Sequence, residues 1–155
     1  MIAVVDASVA VKWFLLEKPD EDHAMQAMRL LEQAASGDIQ LRQPPHFIAE
    51  MAAVLARLKP EGAQQDLLDL LQIEQEAAAD ADADIYVTAL DLAMRHQHHL
   101  FDTLYHAVAL HTPGAQLITA DKRYYDKTRR EGRICLLADW GAKVSARAGT
   151  RHPNP

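Results

Sequence analysis

The chain has 155 residues, 49% of them hydrophobic, which predicts a single domain with a genuine apolar core. Its 16 Lys and Arg residues against 22 Asp and Glu residues give a formal net charge of −6, and this balance argues against tight nonspecific binding to nucleic acid. A nucleic-acid ligand would therefore need a local basic surface or a bound cation.

The N-terminus and the single cysteine indicate the compartment. The opening MIAVVD is too short and too soon acidic for a signal peptide, and no apolar run approaches the roughly 20 residues of a membrane span. Cys135 lies in the apolar run Ile134 to Ala138, which favours a buried, inert thiol and excludes a disulfide within the chain. We therefore expect a soluble protein of the reducing cytoplasm.

The chain opens with a short buried strand that ends at a carboxylate. Ile2 to Val5 is apolar and largely β-branched, Asp6 follows it, and Val9 to Leu16 has the pattern of a helix. Ser8 fits either of two roles, as the N-cap of that helix or as a hydrogen-bonding partner of Asp6 or of a metal-bound water.

A helix from Glu21 to Ala35 comes next, ended by Ser36-Gly37 in the manner of a glycine C-cap. Ile39 to Leu41 is a plausible second strand. A helix between two strands is a βαβ unit, which predicts parallel pairing.

Glu50 is anomalous in the next helix, Phe47 to Leu58, which is apolar nearly all round. A charge on an apolar face costs several kcal/mol unless a cation or strong hydrogen bonds compensate it. Three interpretations remain open: a salt bridge to Arg57, a surface edge of the helix, or a carboxylate that faces a metal ion.

Gln64 to Ala78 has the pattern of an amphipathic helix with no chemical feature. The acids of the following run DADAD briefly resemble a calcium loop, but Ile85 stands where that loop needs glycine, so a helix start or short edge segment is the better interpretation. A helix then runs from Ile85 to Arg95.

Three histidines, His96, His98 and His99, cluster at the end of that helix. Zinc sites draw on spaced pairs and usually include a cysteine or carboxylate, whereas histidines near a helix C-terminus fit the helix dipole with no further role. The pattern favours the second account.

The stretch LFDTLYHAVALHTPGAQLITAD places two acids at the ends of neighbouring elements. A helix opens at Asp102, where the acid can cap it, Pro113-Gly114 breaks the chain, and a short strand runs from Gln116 to Thr119. Asp121 lies just past that strand, where open α/β sheets have their ligand crevice. If strand and helix pack side by side, the two carboxylates face one cavity.

The most basic part of the chain, KRYYDKTRREGR, follows Asp121 on a helix that Gly132 terminates, before a last strand from Ile134 to Leu137. It is either a solvated face or a surface that tracks phosphates, with an aromatic ring stacking on a base. The candidate RNA-contacting residues are Lys122, Arg123, Lys127, Arg129 and Arg130, with Tyr124 or Tyr125 for stacking.

Four separate elements thus each supply a carboxylate, namely Asp6, Glu50, Asp102 and Asp121. Carboxylates brought together raise one another's pKa unless a positive charge lies among them. Mg²⁺ or Mn²⁺ is the natural occupant, because hard cations prefer oxygen ligands and can activate a water for attack on a phosphodiester.

The segments VVDASVAVKWFLLE, HFIAEMAAVL, FDTLYHAVAL and LITADKRYY together resemble the PIN-domain ribonucleases, and specifically the VapC-like toxins of bacterial toxin-antitoxin pairs. The family's acidic quartet falls on Asp6, Glu50, Asp102 and Asp121, and Ser8 and Thr119 stand where the family often has a supporting hydroxyl.

The resemblance implies a three-layer α/β fold with a mostly parallel sheet of about four to five strands, in a PIN domain over residues 1–140 followed by a mildly basic tail, 141–155. It also implies Mg²⁺-dependent endonucleolytic cleavage of RNA, often tRNA or rRNA, homodimerisation, and inhibition by a small antitoxin.

Two other functions compete with the nuclease. A binding module on the same scaffold would use the acids only as caps and act through a protein partner. A receiver-type signalling domain needs paired acids after its first strand and a lysine after its last, where this chain has Asp6 alone and Ala138-Asp139.

Overall fold

The computed structural model describes residues 1–15, 22–74 and 82–140. Its strands are β1 (Ile2–Val5), β2 (Gln40–Leu41), β3 (Ala115–Thr119) and β4 (Ile134–Leu136). They form one sheet in the order β2-β1-β3-β4, and every pair is parallel. The α/β class with a central parallel sheet is confirmed, with four strands among the described residues.

The helices flank this sheet in the chain order expected of βαβ units. They are α1 (Ala7–Ala10) with a 3₁₀ turn at Val11–Phe14, α2 (Ala24–Ala35), α3 (Phe47–Leu58), α4 (Ala63–Glu74), α5 (Ala83–His96), α6 (Leu100–His111), and α7 (Lys122–Thr128) with a 3₁₀ turn at Arg129–Glu131. Residues 137–140 are also helical.

Most predicted boundaries hold within a few residues, and the first helix is the main correction. It begins at Ala7 rather than Val9, and after one turn it tightens into a 3₁₀ helix. Asp6, not Ser8, is its N-cap, because the Asp6 side chain accepts the Ser8 amide. The predicted ends at Leu16 and Ala78, the start at Glu21, and the tail 141–155 lie outside the described residues.

The two central strands carry the core. β1 pairs with β3 over its whole length, from Ile2 opposite Ala115 to Val5 opposite Ile118. Ala3, Val4, Val5, Leu117 and Ile118 are all buried, as expected for a parallel sheet covered by helices on both faces.

The topology reverses direction between β1 and β3. From β1 the chain moves to β2 on one side and later returns to place β3 on the other. Ligand sites of open α/β sheets lie at the carboxyl ends of the strands on either side of such a reversal. Asp6 directly follows β1 and Asp121 lies two residues past β3, so both acids stand at this point.

Gln43 extends the pairing of β1 past the two residues of β2. Its Oε1 accepts from the Val5 amide at 2.9 Å and its Nε2 donates to the Val5 carbonyl at 3.0 Å. The side chain is fully buried. It therefore satisfies both backbone groups of the residue that precedes Asp6.

Cys135 is a core residue, as the sequence predicts, and so is Trp13. The Trp13 indole is buried and donates from Nε1 to the Ala27 carbonyl at 3.0 Å, and Cys135 is buried. Over the part of the chain that is described, none of the helices combines the length and the apolar character needed to cross a membrane.

Candidate active site

Asp6 is a buried carboxylate held by three hydrogen bonds. Its Oδ2 accepts from Ser8 Oγ at 2.7 Å and from Thr119 Oγ1 at 2.6 Å, and its Oδ1 accepts from the Ser8 amide at 3.4 Å. Only 7% of the residue is exposed. Burial raises the pKa of Asp6, and the two hydroxyl donors oppose this shift.

The same two hydroxyls connect Asp6 with the backbone that leads to Asp121. Ser8 Oγ accepts from the Ala120 amide at 3.1 Å, and Thr119 Oγ1 accepts from the Asp121 amide at 3.0 Å. Each hydroxyl therefore donates to one acid and accepts from the chain beside the other. Of the two roles open to Ser8, the structure has the hydrogen bond to Asp6.

Asp121 is the N-cap of α7 and has one oxygen turned toward a histidine. Its Oδ1 accepts from the Tyr124 amide at 2.9 Å, while Oδ2 lies 3.9 Å from His98 Nε2. The side chain is 39% exposed. The capping contact leaves the second oxygen of Asp121 available to the site, because Oδ1 makes the cap and Oδ2 faces His98.

Glu50 has Tyr105 and His46 as partners rather than Arg57. The Tyr105 hydroxyl donates to Glu50 Oε2 at 2.7 Å, and His46 Nε2 lies 3.4 Å from the same oxygen. Burial works to raise the pKa of Glu50, but contacts with His46 and Tyr105 outweigh it and lower the pKa. The His46 ring nitrogens make no proper hydrogen bond among the described residues, so Tyr105 is the better-formed donor.

Asp102 lies in the first turn of α6 rather than at its cap, which corrects the predicted capping role. The N-cap is His99, and Asp102 Oδ2 instead lies 2.9 Å from His98 Nε2. The pKa of Asp102 is raised to about 6, first by burial and then by the negative charges of Asp6, Glu50 and Asp121.

These charge interactions place the four acids in one electrostatic neighbourhood. Asp102 interacts with the other three, and Asp6 also interacts with Glu50. We call these four residues the acidic cluster. In residues 1–15, 22–74 and 82–140, no three histidine, cysteine or acidic side chains are arranged so that they hold a metal ion as they stand. The donor chemistry nevertheless fits a hard divalent cation, because oxygen ligands that repel one another gain most from a shared positive charge.

A model of the PIN domain matches residues 3–130, a span that contains all four acids. The chain belongs to the PIN domain family. Comparison with curated proteins found no match. PIN domains are usually nucleases, they typically use divalent metal ions, and the family suggests RNA binding, so membership supports a nuclease.

His98 is a neighbour of the acidic cluster of this PIN domain that sequence reasoning missed. Its side chain is 10% exposed, its ring packs 4.7 Å from the Tyr124 ring, and burial lowers its pKa while Asp121 opposes the shift. The three clustered histidines have different environments: His96 pairs with Glu131 at 2.8 Å and His99 is the N-cap of α6. The four-residue spacing of His98 and Asp102 was the available signal.

Tyr124 does not have the predicted RNA-stacking role. It is 1% exposed, and its hydroxyl lies 3.0 Å from Nδ1 of the buried His106, whose Nε2 lies 2.7 Å from the Gly132 carbonyl oxygen. That carbonyl can only accept, so Nε2 carries the proton and Nδ1 accepts from Tyr124. The ring is therefore part of the packing between α6 and α7.

The basic residues of α7 divide into engaged and exposed side chains. Lys127 donates to the His96 and Gln97 carbonyls at 3.1 and 3.3 Å, where α5 ends, and Lys122 forms a surface pair with Asp126 at 2.5 Å. Phosphate contact by this stretch stays a prediction, and the exposed side chains that remain as its candidates are Arg123, Arg129 and Arg130.

Proposed function

We propose that this PIN domain is a Mg²⁺-dependent endoribonuclease, with Mn²⁺ as a possible substitute, and that Asp6, Glu50, Asp102 and Asp121 hold the metal and carry the reaction. The observation that supports this most is the pKa of Asp102, raised to about 6 partly by the charges of the other three acids. The four acids come from separate elements of the fold, and a shared cation is the simplest compensation for their charges.

A divalent cation bound here would supply a water of lowered pKa and neutralise the charge that develops on the phosphodiester. Asp6 is fixed for ligation by the Ser8 and Thr119 hydroxyls. Glu50 stays ionised at neutral pH because its pKa is lowered. Asp102 or Asp121 would orient the attacking water; this role is supported by the His98 ring, which lies 2.9 Å from an oxygen of Asp102 and 3.9 Å from one of Asp121.

The biological role we propose is that of the toxin in a toxin-antitoxin pair. It rests on the resemblance of the four sequence segments to VapC-like toxins, which also brings structured RNA such as tRNA or rRNA as substrate, a homodimer, a small inhibitory antitoxin and a cytoplasmic location. We assign the catalytic domain to residues 1–140, with 141–155 as a C-terminal tail.

The test is cleavage of a structured RNA by the purified protein. We expect cleavage with Mg²⁺, none with EDTA, and a loss of more than about 100-fold in Asp6→Asn, because removal of a ligand should exceed the 10–100-fold cost of removing an outer-shell partner. The matched control is Asp126→Asn, an exposed acid that pairs with Lys122, and it should cleave normally.

Full activity in Asp6→Asn would refute the metal-dependent mechanism. If calorimetry shows no divalent-ion binding at millimolar concentrations, the protein is instead a binding module on the PIN scaffold. The toxin role has a separate test: expression of the chain alone should arrest bacterial growth, and Asp6→Asn should not.

A further inference from the structure

Phe101, the residue immediately before Asp102, presents an exposed aromatic ring beside the acidic cluster. It lies in the first turn of α6 and is 58% exposed. Single exposed apolar residues are common on protein surfaces, so exposure alone indicates nothing. Phe101 differs from the others in its position and in the ring that lies beneath it.

One face of the Phe101 ring is covered by the imidazole of His46, the residue that precedes α3. The ring centroids are 5.2 Å apart and the planes differ by 22°, which is a stacked arrangement. His46 in turn meets Tyr105 edge-on at 4.9 Å, and the Tyr105 hydroxyl donates to Glu50. These three rings, which we call the aromatic stack, connect an exposed ring to the acidic cluster.

Ring contacts account for most of what holds His46. Both of its ring nitrogens are buried and lack a hydrogen-bond partner among the described residues, and Nε2 approaches Glu50 Oε2 only to 3.4 Å. An imidazole placed without hydrogen bonds acts here as a flat support. It holds the Phe101 ring with one face covered and the other toward solvent.

We propose that the outward face of Phe101 stacks against an unpaired base of the RNA substrate, next to the phosphodiester bond that the acidic cluster would cleave. The proposal rests on the nuclease function proposed above. Because the Phe101 ring stacks on His46, whose Nε2 lies 3.4 Å from Glu50 Oε2, a base on this ring would be held close to the phosphate at the site. Phe101 would then take the stacking role that the buried Tyr124 cannot have.

The charge of the protein explains why an uncharged contact would be needed. A chain of net charge −6, with four carboxylates at the site, repels phosphates unless cations intervene. Stacking on an aromatic face does not depend on charge, and it is the usual means by which proteins bind unpaired bases. A flat ring backed by a second ring suits a planar base better than an aliphatic side chain.

The test measures binding of a short mixed-sequence single-stranded RNA that carries 2-aminopurine, with Mg²⁺ present and Asp6→Asn as the parent to prevent cleavage. Phe101→Ala should weaken binding about 5- to 100-fold, as expected for one lost base stack. It should also abolish the quenching of 2-aminopurine fluorescence that stacking causes. Phe101→Tyr should retain both.

The matched control is Tyr86→Ala, which removes another exposed aromatic ring and should leave both signals unchanged. Tyr86 lies near Thr88, whose Oγ1 is 2.7 Å from His111 Nε2 at the far end of α6, about 15 Å along the helix from Phe101. A thermal melt of each variant checks that it is folded.

Unchanged affinity and quenching in Phe101→Ala would overturn the proposal while leaving the nuclease function intact. If Phe101→Ala instead reduces only the binding of an inhibitory protein partner, the ring has a protein-docking role and the proposal is wrong. If neither the native protein nor the Asp6→Asn parent binds the RNA in Mg²⁺, both the stack and the nuclease function are contradicted. If only the native protein binds it, Phe101→Ala and Phe101→Tyr are compared in the native background, with the same expected results.

Discussion

At the scale of single residues, the acidic cluster holds carboxylates whose pKa values move in opposite directions. A hydroxyl donor and a histidine lower the pKa of Glu50, whereas burial and three negative neighbours raise that of Asp102 to about 6. Groups whose pKa values are driven apart by their surroundings are typical of catalytic sites. The difference would give the two acids separate roles, with Glu50 always ionised and Asp102 close to its titration at neutral pH.

The raised pKa of Asp102 predicts how stability depends on pH without metal. Between its ordinary value of 3.8 and about 6, the folded protein binds this proton more tightly than the unfolded chain. The stability that Asp102 provides is therefore present below pH 4 and lost as the pH rises to 6. Asp102→Asn should raise the melting temperature in EDTA at pH 7.5 by about 2–4 °C per kcal/mol gained.

The measurement is a pair of thermal melts, at pH 4 and pH 7.5, for the native protein and Asp102→Asn. The gain should be confined to the higher pH, and Asp126→Asn, which changes an exposed acid, should show no such difference. A lower melting temperature of Asp102→Asn at pH 7.5 would mean that the contact of Asp102 with His98 outweighs the repulsion, and would contradict the prediction.

At the scale of elements, the Gln43 side chain forms the hydrogen bonds that a neighbouring strand would otherwise form with the end of β1. Gln43→Leu would leave the buried amide and carbonyl of Val5 without partners, which costs about 2–6 kcal/mol if each group costs 1–3. Urea unfolding should show this loss as a lower midpoint. Gln40→Leu, an exposed change on β2, is the control. Equal midpoints for the two variants would contradict the role of Gln43.

The elements themselves follow from local sequence patterns. The helix Phe47–Leu58 has the predicted bounds, and the strands at Ile2–Val5 and Ala115–Thr119 differ from prediction by one residue at most. Apolar runs, glycine C-caps and strand-ending acids are local signals, and they locate Asp6 and Asp121 at the carboxyl ends of parallel strands.

Contacts between distant residues could not be predicted in this way. Tyr105 reaches Glu50 across 55 residues, and Gln43 reaches Val5 across 38. No local pattern in the sequence around Tyr105 or Gln43 indicates which distant residue it contacts. The burial of Tyr124 likewise depends on how α7 packs against α6, so a local pattern could not show that this ring is unavailable for stacking. Tyr125, the other stacking candidate, is half-buried and stays a prediction.

At the scale of the whole molecule, the parallel sheet concentrates negative charge at one place. The reversal between β1 and β3 puts Asp6 and Asp121 at the carboxyl ends of adjacent strands, and α3 and α6 bring Glu50 and Asp102 to the same electrostatic neighbourhood. Repulsion among these carboxylates destabilises the folded protein. A function in which a cation binds among them gives a physical reason for the arrangement.

The most direct test of this account is a crystal structure with Mn²⁺, whose position anomalous scattering reports without reference to the protein. We expect an anomalous peak within the acidic cluster, with carboxylate oxygens of Asp6 and at least one other member at coordination distance, roughly 2.1 Å. The peak should be absent from crystals of Asp6→Asn treated in the same way. No peak at the cluster in the native protein, or one that persists in Asp6→Asn, would contradict the central claim.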